Sequence, residues 1–221
     1  MQKLIDEVDP FLISEHLSLN MLNGIAFPDL FPIPYTTECL DVFCKNIDYA
    51  QNLLKKQLLI ENPSTYIEFS SSQIEEPQFL KQLYEKTGYG ILLDINNIFV
   101  SCMNHHRDPI HYINEIPKDS VKEIHLAGHD IRTLSDNTLL RVDTHDNFIC
   151  EEVFNLYKVC LNRFGLVPSL IEWDAKIPSL EVLINEAYKL KFYMQPTDIN
   201  FDDKNDLLHS NKSSTQISSL L

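Results

Sequence analysis

Glycine is scarce in this chain, with five residues among 221. That leaves no Gly-rich loop to cradle a phosphate and no dinucleotide fingerprint. Neither a G-x-S-x-G elbow nor an H-E-x-x-H helix occurs. Basic residues are also few: 18 Lys and Arg face 32 Asp and Glu, a formal net charge of −14 at pH 7. Such a surplus disfavours attachment to nucleic acid or to an anionic membrane, and favours a neutral, cationic or metal-bearing partner. Much of it reads equally well as solvated surface. The Cys residues at 39, 44, 102, 150 and 160 form no C-x-x-C pair. Cys39 and Cys44 share one expected helix, and Cys150 and Cys160 share another. A disulfide framework is therefore not expected, and a reducing compartment, the cytoplasm, is. No apolar stretch is long enough to span a membrane, and residues 1–10 lack the apolar core of a signal peptide. What is there is a globular composition, 44% hydrophobic and 23% charged, of a length that suits one domain.

Periodicity supplies the architecture. Thr36 is placed to cap a helix in which Leu40, Phe43, Ile47, Ala50 and Leu54 recur at spacings of three and four. Phe79, Leu80, Leu83 and Tyr84 mark a second helix that Gly88 stops. Pro109 opens a short third helix. Val153, Phe154, Tyr157, Leu161 and Phe164 mark a fourth, ended by Gly165. A last helix, opened by Pro178, turns Leu180, Leu183, Ile184, Ala187 and Leu190 inward. Short apolar runs alternate with these helices at residues 11–17, 57–61, 90–94, 121–126 and 168–174. The region rich in Pro28, Pro32 and Pro34 reads as a loop, and no hairpin is expected. Strand and helix in alternation call for a parallel sheet with right-handed crossovers. The expected fold is α/β, a TIM-type (β/α) barrel over residues 1–194. It is incomplete, because about five of the eight βα units of such a barrel are visible. Residues 195–221 are polar and Ser-rich without a period, and read as a disordered tail.

The strand ends carry the chemistry. Each of the five runs finishes in an acid or a His: Glu15 and His16, Glu61, Asp94, His125, and Glu172 with Asp174. In a barrel, strand C-termini converge on one mouth, whereas an open doubly wound sheet brings together only those at its switch point. Six of the eight His (16, 105, 106, 125, 129 and 145) fall at or just after strand ends, with Asp143 in the same zone. Imidazole plus carboxylate without thiolate suits Zn, Mn or non-haem Fe. There are more such groups than one ion can use, so two or more ions bridged by carboxylates fit the pattern. A single such Glu or His is ordinarily a salt bridge or a backbone partner, and repetition on five strands is what argues otherwise. Cys102 reads as a small buried hydrophobe rather than a nucleophile.

Eight motifs occur in order: Ser14-Glu-His-Leu-Ser18, Pro32-Ile-Pro-Tyr-Thr36, Glu61-Asn-Pro-Ser64, Leu93-Asp-Ile-Asn-Asn97, Asn104-His105, Glu123-Ile-His-Leu-Ala-Gly-His129, Asp143-Thr-His145 and Glu172-Trp-Asp174. Together they resemble the DUF692 (UPF0276) family, the multinuclear non-haem iron-dependent oxidases. The resemblance implies a barrel holding two or three iron ions. It also implies O2-dependent modification of cysteines in a ribosomally made precursor peptide, presented by a partner protein. Carried over position by position, it implies metal ligands at Glu61, Asp94, His105, His125 or His129, Asp143, His145 and Glu172, with Glu61 and Asp94 as bridging carboxylates. Asn97, Glu15, His16 and Asp174 would orient those ligands or face the substrate. Two departures stand out. The family carries three βα units ahead of the Ser14-Glu-His-Leu-Ser18 strand, two of them bearing His ligands. It also places a small residue where His106 stands. A catalytically silent remnant, a half-barrel completed by another chain, and a divalent-metal isomerase or hydrolase acting on a small substrate are the rival expectations.

Overall fold

The structure is a computed structural model that describes residues 2–194, apart from the side chains of Pro28 and Asp29; the expected tail lies outside the described residues. The chain opens with α1 (Gln2–Val8), β1 (Ser14–His16) and the strands β2 (Leu19–Leu22) and β3 (Ile25–Phe31), then α2 (Thr37–Leu54) and β4 (Leu59–Glu61). It continues through α3 (Glu76–Thr87), β5 (Gly90–Asp94), α4 (Ile95–Asn104), α5 (Pro109–Glu115) and β6 (Val121–Leu126). The last elements are β7 (Asp130–Thr133), β8 (Leu139–Val142), α6 (Glu151–Phe164), β9 (Ser169–Ile171) and α7 (Leu180–Tyr193).

Five strands make one sheet in the order β1-β4-β5-β6-β9, every pairing parallel. The helices pack in succession, α2 on α3, α3 on α5, α5 on α6 and α6 on α7. A helix layer that follows the strand order belongs to a curled, barrel-like sheet, not to one covered alternately on two faces. β5 lies at the centre and all its residues are buried, as its Ile-Leu-Leu run requires.

Local signals set the helix ends. Thr36 Oγ1 accepts from the Cys39 N–H at 3.2 Å, capping α2. Leu40, Ile47 and Leu54 are its buried stripe, with Phe43 and Ala50 packed at the margin. Gly88 ends α3 at φ +65°, a conformation that costs glycine little.

Three expectations need correction. Two hairpins exist, β2–β3 and β7–β8, each a separate two-stranded antiparallel sheet. The first turns on Asn23-Gly24, with φ +52° and +79°, the backbone that favours Asn-Gly. The stretch after Asp94, for which the periodicity names no helix, is helix α4, and residues 95–102 are buried throughout. Finally, α7 turns only part of its apolar stripe inward: Leu190 is buried in the core, but Leu180 is 70% exposed and Ile184 44%, while Glu186 is buried. β9 is an edge of the sheet, and α7 has only α6 and β9 beside it among its main packing partners, so one side of the helix is left open.

Candidate metal centre

The five sheet strands deliver their terminal side chains to one end. Parallel register sets His16 beside Glu61 and Asp94 beside His125. Glu172 follows β9, its N–H donating to the Leu126 carbonyl at 2.9 Å. Asp94 ends β5 and caps α4 at once: one carboxylate oxygen accepts from the Asn97 N–H at 2.6 Å. Its other oxygen, Oδ2, is buried with no hydrogen-bond partner. Asn62, fully buried, braces this turn like a short strand. Its Nδ2 donates to the Asp94 carbonyl and its Oδ1 accepts from the Asp94 N–H, both at 2.9 Å.

Glu61, Asp94, His125 and Glu172 each place a ligand atom within 4.8 Å of the others. A second group, His145, Glu172 and Asp174, meets the same limit and shares Glu172. His125 Nδ1 lies 3.2 Å from Glu172 Oε2 and 3.7 Å from Glu61 Oε1. His145 Nε2 is 2.6 Å from Asp143 Oδ1, and its Nδ1 is 3.5 Å from both Glu172 and Asp174. His145 holds this place at φ +44°, a backbone region uncommon for a residue with a Cβ and often seen at functional sites. Glu61, Asp143, His145, Glu172 and Asp174 border a cavity of about 490 Å³ whose lining includes Phe31 and Pro32 from the end of the first hairpin.

The electrostatics are those of anions pressed together. Burial pushes the Glu61 carboxyl up to about 8, and Glu172 adds to the push. Asp94 is raised by burial and then by Glu61 and Asp143. Burial works against a charged His145 ring, but the neighbouring Asp143 outweighs it and lifts the ring to about 10. His125 is likewise raised, the pull of Glu172 and Asp94 overcoming its burial. Glu172 is lowered, first by its hydrogen bond with His125. Among the described residues, the ion pairs of Glu61, Asp143 and Glu172 are to imidazoles and not to Lys or Arg. An imidazolium is a replaceable counter-charge. A divalent cation would satisfy the orphaned Asp94 oxygen and release those protons, so the residues present fit a metal.

Of the eight expected ligands, the structure gathers Glu61, Asp94, His125, Asp143, His145 and Glu172. Two it places elsewhere. His105 Nε2 sits 3.0 Å from the Thr65 carbonyl and 3.1 Å from Thr65 Oγ1, clipping the end of α4 to the loop after β4. A carbonyl only accepts, so Nε2 carries the hydrogen, and Nδ1 faces Glu68 at 4.0 Å. His129 has both nitrogens engaged, by Asn96 and by Arg141. Of the four expected supporting residues, His16 reaches Glu61 at 3.5 Å and Asp174 borders the second group. Asn97 braces Asn62, and Glu15 is exposed, touching only His16 among the described contacts. His106 stands at φ +56°, a backbone region uncommon for a residue with a Cβ. Cys102 is 2% exposed and burial drives its thiol up to about 12, which suits packing and not nucleophilic attack. The residues that sequence reasoning passed over are Asn62, Asn96, Tyr66 and Arg141. Asn62 and Asn96 lie inside the eight motifs; Arg141 and Tyr66, whose hydroxyl accepts from the Asp143 N–H at 2.8 Å, lie two residues outside, and their type alone gave no sign of a role.

A parallel βα sheet with acids and imidazoles at its carboxyl ends defines a TIM-barrel-type site, and solved structures agree on the fold. A xylose isomerase domain containing protein from Salmonella typhimurium superposes with a TM-score of 0.55 at 14% identity, over 88% of this chain and 67% of that one. A xylose isomerase-like TIM barrel protein from Mycobacterium smegmatis, solved with magnesium, gives 0.54 at 13%, over 87% and 65%. Sequence narrows the class. The chain belongs to the family described as RiPP precursor modification enzyme MbnB/TglH/ChrH, whose model matches residues 1–195. UPF0276 proteins of Vibrio vulnificus and Paraburkholderia phytofirmans are 41% and 40% identical to it, over 96% and 91% of the chain. One from Caulobacter vibrioides is 44% identical over 84%. The chain spans about two thirds of the length of these relatives: 69%, 66% and 65% respectively.

Proposed function

We propose that this chain is an O2-dependent iron oxidase that modifies cysteine residues of a ribosomally made precursor peptide, or the C-terminal part of such an enzyme. The observation that carries the reading is the Glu61, Asp94, His125 and Glu172 cluster, with its uncompensated buried carboxylate oxygen. Glu61 and Asp94 are the candidate bridging ligands. Asp143 and His145 complete a second binding position through the shared Glu172, in keeping with two ions, or three if groups from outside this chain contribute. Bound iron would supply the redox chemistry with O2; manganese or zinc would fit the same donors but not the same reaction.

The protein's own groups have separate tasks. His125 and His145 would give up their protons to bind a cation, and Phe31 and Pro32 supply an apolar part of the cavity lining. His16 and Asp174 both line the cavity, where they would hold the backbone or side chain of an extended peptide. A peptide-presenting partner protein and a cytoplasmic setting belong to the same proposal. Free thiols at all five Cys are in keeping with a reducing compartment, and no helix among the described residues is long and apolar enough to cross a membrane.

A second reading is favoured by a different observation. β1 and β9 are open edges, and α7 exposes Leu180, Ile184, Tyr188 and Phe192 along one side. On this reading the chain is one part of an enzyme whose barrel closes only with further strands. The decisive experiment loads the protein with ferrous iron anaerobically, measures bound metal, and adds O2 with a Cys-containing precursor peptide. Bound iron and an O2-dependent mass change support the oxidase. Turnover that persists without O2 would point to a hydrolase or isomerase, and iron bound without turnover to a part awaiting its complement. Absence of bound iron would refute the proposal.

A further inference from the structure

Both ring nitrogens of His129 are engaged, and one partner has no choice of role. Arg141 Nη1 lies 2.8 Å from His129 Nε2. A guanidinium has donors only, so Nε2 accepts and carries no hydrogen. The ring hydrogen is then on Nδ1, 2.9 Å from Asn96 Oδ1, which must accept. With its amide oriented this way, Asn96 turns Nδ2 to Asp143 and donates to Oδ1 at 2.7 Å. Arg141 is itself locked. Its N–H and carbonyl pair with the Asn104 side-chain amide, both at 2.9 Å, and its guanidinium lies 4.8 Å over the Phe99 ring.

We propose that Arg141 is a positioning residue, which fixes the His129 tautomer and, through Asn96, aims the Asp143 carboxylate at the metal centre. Polarity runs one way along the relay. A flipped Asn96 would set its carbonyl oxygen against the Asp143 carboxylate, acceptor against acceptor. The other His129 tautomer would set a ring hydrogen against Arg141 and a lone pair against Asn96 Oδ1. The guanidinium excludes both. Loss of a group that orients a metal ligand commonly costs about ten- to a hundredfold in metal affinity. The consequence for metal rests on the function proposed above; the relay does not.

The test begins with the metal-free, full-length, 15N-labelled protein. Long-range 1H–15N spectra, with the His129→Gln variant for assignment, should show His129 protonated on Nδ1 and bare on Nε2. The opposite tautomer, or a ring protonated on both nitrogens at pH 7, would overturn the proposal. Arg141→Met should abolish the single tautomer and weaken Mn(II) binding, read by calorimetry, about tenfold or more. Arg141→Lys keeps a donor-only group and should restore both. If Arg141→Met changes neither tautomer nor affinity, the positioning role falls. If the wild-type tautomer is as expected but Mn(II) does not bind at all, the relay stands and the metal reading fails.

Discussion

Replacing Glu61 with Gln should stabilise the metal-free protein near neutral pH, the reverse of the usual result of altering a buried, partnered residue. Glu61 is 6% exposed, and its carboxyl is pushed from 4.5 up to about 8 by burial and by Glu172. A folded-state value above the unfolded one means that the native state holds this proton more tightly. The stability from that proton is complete below about pH 4.5, is lost as pH rises towards 8, and is gone above. At pH 7 the protein stands about 2.5 pH units above the unfolded value, at about 1.36 kcal/mol per unit, so the cost is on the order of 3 kcal/mol. Glutamine keeps the shape and cannot ionise. His145, lifted to about 10, adds a loss of the same sign between about pH 6.5 and 10, but it does so in both proteins. Urea unfolding followed by the emission of Trp173, the one tryptophan, measures both proteins from pH 5 to 8.5. The stability of the variant relative to wild type should rise with pH by a few kcal/mol. A difference that is flat with pH, or that falls, would refute the assignment of Glu61 to a buried anionic cluster. The same variant should lose most of the stabilisation that added metal gives the wild type.

Asp94 has two separable duties. Asp94→Ala should lose the α4 cap, about 1 kcal/mol, as well as metal binding, whereas Asp94→Asn should keep most of the cap and lose only the metal; thermal unfolding with and without Mn(II) separates them. Equal destabilisation by the two would count against the capping role. At Gly128 an added Cβ would run into the Asn147 carbonyl group and the Phe148 carbonyl oxygen. Gly128→Ala should therefore cost about 1–3 kcal/mol and displace the segment between His125 and His129, read as a lowered Tm and weaker metal binding. An unchanged Tm would show that the Asn147 loop yields freely.

The sequence carried the parallel sheet because strand and helix alternate with clean periods from Thr36 to Phe164, and because a wholly apolar run such as Ile91-Leu-Leu93 has few other uses. It also carried the acids and imidazoles at the strand ends. The hairpins were hidden for different reasons. β3 contains Pro28, which breaks a strand pattern, and β2 is exposed along its length, so its alternation has no buried face to mark it. Asn23-Gly24 was the one legible sign. The roles of His105 and His129 were beyond reach because a His that ligates and a His held by Thr65 or Arg141 have the same neighbours in sequence. Only the approach of segments about 40 residues apart, Thr65 to His105, distinguishes them. The α7 stripe failed in another way: its period was right, but a helix at a sheet edge has too little against which to bury it.

The two free edges, β1 and β9, are unlike one another, since every pairing in the sheet is parallel. In parallel pairing each is complementary to the other and not to itself, so a parallel extension of the sheet is head-to-tail. A closed circuit of this type takes eight strands. Five from one chain leave room for three, whereas two copies would bring ten and overshoot it. Parallel self-association through the edges would thus run on as an open series, growing with concentration, and a three-stranded βα complement would end it. The same geometry that gathers the acids and imidazoles at one end of the sheet makes it selective for what may close it.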